Sequence, residues 1–281
     1  MDEKIMKGND IRSRIELELK QSIKGCIIRP SVAIIQIGDD ERSNIYIKLK
    51  EEACNRVGIF CRIYKFDENT TELTIVNKIK ELNNDDYVNG IIIQLPLPPK
   101  YNEKRLINTI LNSKDIDGLT DINTGRLING RKTVVPCTVD AIMQLFKEYD
   151  IDLIGKKVTV VGKGKLVGRL LANVLLNSGA TVTVCHSKTE DLKHHTLDAD
   201  IVISAAGKKH LIDSDMVKEG AIVIDVGCFY EDGKMYGDVD FDSVVNKASL
   251  ITPNIGGVGP VTVAMFLKNV VYCYNNQNKK I

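Results

Sequence analysis

Short apolar runs rich in β-branched residues, each followed by a helix-patterned stretch, constrain this chain more than any other feature. Residues 32–37 read Val-Ala-Ile-Ile-Gln-Ile, and similar runs occupy 59–66, 88–93, 157–161, 181–185, 200–204 and 221–226. Runs that are continuously apolar, not alternating with polar residues, suit strands covered on both faces, as in parallel sheets. Helical periodicity at 10–24, 41–57, 70–83, 101–112 and 261–274 supplies the covering layers. Alternation of the two patterns predicts α/β architecture. With 281 residues, 43% of them hydrophobic, the chain can fill two separate cores.

Two loops divide the chain. Gln94-Leu95-Pro96-Leu97-Pro98-Pro99 stops a strand abruptly, because proline gives the ladder no donor. The result is a stiff loop at the carboxyl end of a sheet, where open α/β sheets bind ligands. Pro136-Cys137-Thr138 opens a helix with Thr138 as a plausible N-cap and marks the crossing into a second domain. The polar stretch from 275 to 280 reads as a frayed tail.

Several function classes are disfavoured by composition. Thirty-eight basic against 37 acidic side chains leave a net charge of +1, which gives no pull toward nucleic acid or an anionic membrane. No apolar run approaches a membrane span, and Met1-Asp2-Glu3-Lys4 lacks a signal-peptide core. Seven cysteines without a Cys-x-x-Cys pair point to reduced thiols in a cytoplasmic protein. Four histidines without acidic neighbours in a ligand pattern leave a metal unsupported.

Residues 43–58 hold the first chemical candidate. As a helix they place Tyr46 and Lys50 one turn apart, with Ala53 and Val57 continuing the same side. A lysine stem against apolar surface can serve as a base near neutrality, since desolvation disfavours the ammonium form. Equally, such a lysine can simply snorkel off the core edge. The second candidate is Gly162-Lys163-Gly164-Lys165-Leu166-Val167-Gly168, a glycine-rich strand-to-helix turn of the kind that lets backbone amides approach a pyrophosphate. It has one residue more than the Gly-x-Gly-x-x-Gly fingerprint. At the end of the next strand, Cys185-His186-Ser187-Lys188 stands where an NAD enzyme usually has an acid. A hydroxyl, an imidazole and a cation suit a 2′-phosphate, so NADP is favoured with NAD still possible, and Lys163 adds positive charge.

In order along nearly the whole chain, these segments resemble the bifunctional methylenetetrahydrofolate dehydrogenase/cyclohydrolase family. The resemblance is carried by Ser43-x-x-Tyr46-x-x-x-Lys50, Gln94-Leu95-Pro96-Leu97-Pro98, Lys114-Asp115-Ile116-Asp117-Gly118, Asn123-x-Gly125-Arg126-Leu127 and Pro136-Cys137-Thr138. It continues through Cys185-His186-Ser187-x-Thr189, Asp225-Val226-Gly227, Gly237-Asp238-Val239 and Gly256-Gly257-Val258-Gly259-Pro260-x-Thr262. It implies oxidation of 5,10-methylenetetrahydrofolate to the methenyl form with NADP, then hydrolysis to 10-formyltetrahydrofolate. Tetrahydrofolate is the substrate carrier, one-carbon metabolism and purine biosynthesis the context, and a homodimer the expected assembly. It also implies a folate-binding catalytic domain at 1–137 with 261–281, the last helix returning to it. A Rossmann-like NADP-binding domain at 138–260 completes the chain, with the folate between the two.

By the same resemblance Lys50 serves hydrolysis, Gln94 positions Lys50, Asp117 binds the pterin amino and ring nitrogens, and Tyr46 stacks on the pterin. Gly259, Pro260 and Thr262 join the substrate site. Gly162, Lys163, Gly164, Val167, Gly168, His186, Ser187 and Cys228 form the cofactor site. Physical reasons support the core of this assignment: a carboxylate can accept two hydrogen bonds from a pterin donor edge, and an aromatic face can stack on its ring. Each residue also has a plain structural reading, Asp117 as a turn residue before Gly118 and Gln94 as a loop cap.

Departures from the family pattern fall mainly in the nucleotide half. Gly164 stands where the family loop carries serine, Leu170 where it carries proline, and Cys228-Phe229 where Ile-Asn is usual. Asn254-Ile255 replaces Val-Pro, and Val139 replaces the proline after Pro-Cys-Thr. A lost serine hydroxyl removes a phosphate contact of about 0.5–1.5 kcal/mol. Rival readings are a cyclohydrolase with a weak dehydrogenase, a non-catalytic folate- or nucleotide-binding protein, and an unrelated dehydrogenase of the same architecture.

Overall fold

The structure is a computed structural model that describes residues 2–231 and 233–278. In chain order its first half comprises α1 (Gly8–Ser22), β1 (Ser31–Ile37), α2 (Glu41–Val57), β2 (Phe60–Phe66), α3 (Glu72–Asn84), β3 (Gly90–Ile93), α4 (Glu103–Thr109) and α5 (Asp121–Ile128). The second half comprises α6 (Cys137–Glu148), β4 (Lys157–Val161), α7 (Gly168–Asn177), β5 (Thr181–Cys185), α8 (Leu192–Leu197), β6 (Ile201–Ser204) and β7 (Ile222–Asp225). The chain then forms β8 (Phe229–Glu231), β9 (Lys234–Tyr236), α9 (Phe241–Val244), β10 (Leu250–Ile251) and α10 (Val258–Asn278).

Two compact units result. The three-stranded unit takes the described residues of Ser13–Arg126, Lys132–Cys137 and Val263–Ile281. The five-stranded unit takes those of Met1–Arg12, Leu127–Arg131 and Thr138–Thr262. The described part of the last helix therefore returns to the first unit from residue 263 on. Residues 2–12 and 127–131 pack with the five-stranded unit, in contrast to the expected boundary of the first domain at 1–137.

In the three-stranded unit β1 is central, with parallel partners β2 and β3 on either side. Every residue of β1 is buried, as its unbroken apolar run requires. Ala33, Ile35 and Ile37 face a core that includes Ile75, Ile79 and Leu82 of α3. The edge strand β2 is more exposed and carries polar residues outward. Local chemistry sets the limits of α2. The Asp40 side chain accepts from the Ser43 N–H at the start, and Gly58 takes the left-handed conformation at the end, with φ 95°. Ile47, Ala53, Cys54 and Val57 form its buried stripe.

The five-stranded sheet runs β10-β7-β6-β4-β5, all parallel. The β8–β9 pair is a separate antiparallel hairpin. No helix among the described residues is long and apolar enough to cross a membrane.

Local expectations fail in three places. Thr138 lies inside α6, which already begins at Cys137, so it is not the cap. The stretch at 275–278 is not frayed: α10 continues through it, and the Gln277 amide donates to Asn89 O (2.8 Å) and Ser113 O (3.1 Å). Residues 279 and 280 of that expected tail lie outside the described residues. The helix anticipated at 101–112 is shorter, because Asn102 caps it and the chain leaves helical geometry at Ile110.

Candidate active site

Four elements of the three-stranded unit supply the first cluster. Lys50 projects from α2 and donates to Gln94 Oε1 at 3.0 Å. Gln94 follows β3, and its backbone N–H still bonds Ile35 O at 2.8 Å, so the sheet fixes its place. Its side-chain Nε2 donates to Leu95 O at 2.8 Å, which turns the amide so that its oxygen faces Lys50. The Lys50 ammonium also lies 5.4 Å from the ring centroid of Phe266, a fully buried residue of α10. Half-buried Lys50 thus has an apolar floor and a neutral amide partner. Tyr46, one turn earlier on α2, is 38% exposed, which leaves part of its side chain accessible.

Asp117 is held by a built turn. The Asp115 carboxylate accepts from Thr120 N (2.8 Å), Leu119 N (3.3 Å) and Asn123 Nδ2 (3.0 Å). Buried Lys114 donates to Leu82 O and Asp85 O, closing the end of α3. Gly118 needs φ 67°, and a Cβ there would come within 2.7 Å of Val134 O. Asp117 keeps some solvent contact at its surface yet is densely surrounded by protein. That burial raises its pKa; the positive charge of Lys50 and hydrogen bonds from the Cys137 thiol and backbone N–H pull it down, and the Asp115 carboxylate pushes it up. Burial and then the Asp117 charge push the Cys137 thiol well above its ordinary range. Lys50 therefore joins the site's parts, bonded to Gln94 and acting by its charge on Asp117.

Most of the second cluster surrounds the turn after β4 in the five-stranded unit. Gly162 has φ 118°, and a Cβ there would come within 2.3 Å of Ala205 O. A Cβ on Gly168, the first residue of α7, would come within 1.8 Å of Gly162 O. Both positions thus require glycine, for different reasons. Gly164 has open space around it. Val167 caps α7 without a side-chain hydrogen bond, and the first turn carries no acid, so the helix start suits an anion. Lys163 is exposed in the same turn. At the end of β5, His186 Nδ1 accepts from Lys188 N at 3.2 Å. Ser187 beside it is exposed. This cradle fits the diphosphate and ribose phosphate of a dinucleotide.

Cys228 is half-buried after β7, in a loop that a pair of buried acids shapes. Asp225 accepts from the N–H groups of Gly227, Asp238 and Val239, each at 3.0 Å. Asp238 accepts from Ser204 Oγ (2.8 Å), Ala206 N (2.6 Å) and Lys208 N (2.7 Å). A Cβ on Gly227 would strike the Asp238 carboxylate. The sequence reading quoted both acids but gave them no role; Asp-x-Gly and Gly-Asp, in which an acid lies close to a glycine, were the available signal. Gly259, Pro260 and Thr262 sit in the first turns of α10, in the five-stranded unit, and the Thr262 hydroxyl donates to Val258 O at 3.1 Å. Phe266 was missed, since a long helix that is apolar on most sides gives no periodic hint of which residue meets the Lys50 ammonium.

Comparison with known proteins identifies the family. The chain matches the family model of the tetrahydrofolate dehydrogenase/cyclohydrolase catalytic domain over residues 6–117, and that of its NAD(P)-binding domain over 136–278. A bifunctional protein FolD of Campylobacter hominis is 44% identical over 283 residues, covering 99% of each sequence. The crystal structure of the FolD methylenetetrahydrofolate dehydrogenase/cyclohydrolase of Campylobacter jejuni superposes with a TM-score of 0.94 at 45% identity, covering 97% of this chain and 98% of that one. The Trypanosoma brucei dehydrogenase-cyclohydrolase, complexed with NADP cofactor and inhibitor, has a TM-score of 0.94 at 34% identity, covering 98% of both. The chain belongs to the tetrahydrofolate dehydrogenase/cyclohydrolase family.

Proposed function

We propose that this protein oxidises 5,10-methylenetetrahydrofolate to 5,10-methenyltetrahydrofolate with NADP and then hydrolyses the product to 10-formyltetrahydrofolate. The observation that carries the hydrolytic half is the 3.0 Å contact between the Lys50 amine and an amide oxygen whose orientation is fixed. Asp117 accepts the donor edge of the pterin, and the exposed Tyr46 ring stacks on it. Gly259, Pro260 and Thr262 contribute to the same substrate. Lys50 in its amine form accepts a proton from the water that adds to the bridging carbon. It returns a proton to N5 as the carbon–N5 bond breaks, and the overall reaction releases one proton to solvent. A carboxylate at position 94 would hold the ammonium in its charged form, whereas the neutral amide leaves the proton free to move.

NADP, when bound, supplies the acceptor for the hydride that leaves the methylene carbon. Gly162, Gly164 and Gly168 keep the turn after β4 open to its diphosphate. Lys163, His186 and Ser187 offer charge and hydrogen bonds to the ribose phosphate, and Val167 and Cys228 border the site. The functional division follows the two units, the three-stranded one carrying the folate-binding catalytic residues Lys50, Gln94 and Asp117 and the five-stranded one the NADP cradle. The protein works as a homodimer in the cytoplasm, where its seven free thiols stay reduced and its formyl product can feed purine synthesis. The test is a spectrophotometric assay with methylenetetrahydrofolate and either nicotinamide cofactor. Reduced nicotinamide should form faster with NADP than with NAD, and 10-formyltetrahydrofolate should accumulate. Absence of both products would refute the proposal.

A further inference from the structure

Asn269 is 5% exposed, lies on α10 three residues after Phe266, and takes no part in the chemistry above. Its single amide nitrogen donates to two backbone carbonyls from different loops, Ile116 O at 3.0 Å and Val135 O at 2.9 Å. The Cys137 sulfur lies 3.7 Å from the same nitrogen, and the Cys137 thiol reaches Ile116 O, also at 3.7 Å. Ile116 O belongs to the peptide bond that leads directly into Asp117. Val135 O lies two residues before Cys137, whose backbone N–H donates to the Asp117 carboxyl. One buried amide thus ties down the backbone entering Asp117 and the segment that carries its hydrogen-bond donor.

We infer that Asn269 is a positioning residue for folate binding, acting through Asp117 by clamping the Ile116 and Val135 carbonyls. The inference rests on the proposed role of Asp117 as the pterin anchor. Both donor hydrogens of the amide are used, so a side chain that keeps the volume but lacks the donors strips the Val135 carbonyl of this partner and leaves the Ile116 carbonyl only the long Cys137 thiol contact. The turn bearing Asp117 and the segment bearing Cys137 then lose their common tether. The five-stranded unit holds the nucleotide cradle and has no part in this clamp.

The test is a double-mutant cycle on the full-length chain with Asn269→Leu, Asp117→Ala and both together, titrated calorimetrically with tetrahydrofolate and separately with NADP. Asn269→Leu should weaken tetrahydrofolate binding about tenfold, while NADP affinity stays within about twofold and the penalty falls below about twofold in the Asp117→Ala background. Wild-type affinity in Asn269→Leu, or an equal loss with and without Asp117, would overturn the inference. A loss of NADP affinity of the same size would mark a general structural role and would also overturn it. Wild-type affinity in Asp117→Ala would instead refute the pterin-anchor reading on which the inference stands. Asn269→Ser keeps one donor and runs through the same cycle if the leucine variant does not fold; it should show a smaller loss that again vanishes without Asp117.

Discussion

Gln94 illustrates how a single side chain sets what its neighbour can do. Its oxygen faces Lys50 because its nitrogen is already committed to Leu95 O. Exchanging the amide for a carboxylate of the same shape keeps the contact but adds an opposite charge 3.0 Å from the amine. An opposite charge at that range favours the protonated ammonium. Gln94→Glu should therefore need a higher pH for half-maximal hydrolysis of methenyltetrahydrofolate, while hydride transfer keeps its pH profile. A pH–rate series on both half-reactions reads the outcome, and an unmoved hydrolysis profile would detach Gln94 from Lys50. The Lys50, Gln94 and Asp117 set came from the family resemblance, because a helical i, i+4 pair, a loop cap and an Asp-Gly turn each have a plain structural reading on their own; the structure adds the 3.0 Å contact between Lys50 and Gln94. Asn269 was not legible, since an amide among apolar residues in a long helix carries no local sign of the carbonyls it will meet.

At the scale of the element, the turn from β4 into α7 separates two kinds of glycine. Gly162 combines a left-handed φ with a carbonyl 2.3 Å from where a Cβ would sit, whereas Gly164 has free space. Gly162→Ala should lower thermal stability and abolish NADP binding, with the purified variant still hydrolysing methenyltetrahydrofolate. Gly164→Ser should fold normally and tighten NADP binding by roughly 2–10-fold if its hydroxyl gains one net hydrogen bond. Calorimetric titration distinguishes the two, and a Gly164→Ser variant that loses NADP would show that the open space is needed as space. Strand and helix types were readable because the apolar runs are short and continuous, and α2 and α3 also carry side-chain caps. The β8–β9 hairpin, α9 and the two-residue β10 were not anticipated: they are too brief for periodicity to register. Likewise the assignment of residues 2–12 and 127–131 to the five-stranded unit depends on long-range packing that local pattern does not encode.

Across the whole molecule, burial at Asp225 couples stability to pH. Its pKa is pushed up from 3.8 to about 6, chiefly by burial, with three backbone N–H groups pulling the other way. A raised carboxyl favours folding while protonated, so this contribution is complete below about pH 3.8 and is lost as pH rises through about 6. The span corresponds to roughly 3 kcal/mol. Denaturant melts of wild type and Asp225→Asn between pH 4 and 7.5 should give a stability difference that changes by that order over this window; a constant difference would contradict it. The two reactions should also separate by unit, since the amine lies in the three-stranded unit and the glycine cradle in the five-stranded one. The most direct measurement follows both reactions in Lys50→Met, monitoring reduced nicotinamide from methylenetetrahydrofolate and hydrolysis of methenyltetrahydrofolate. The account requires nicotinamide reduction to persist while hydrolysis falls by about 10²-fold or more. Hydrolysis at near the wild-type rate would contradict it.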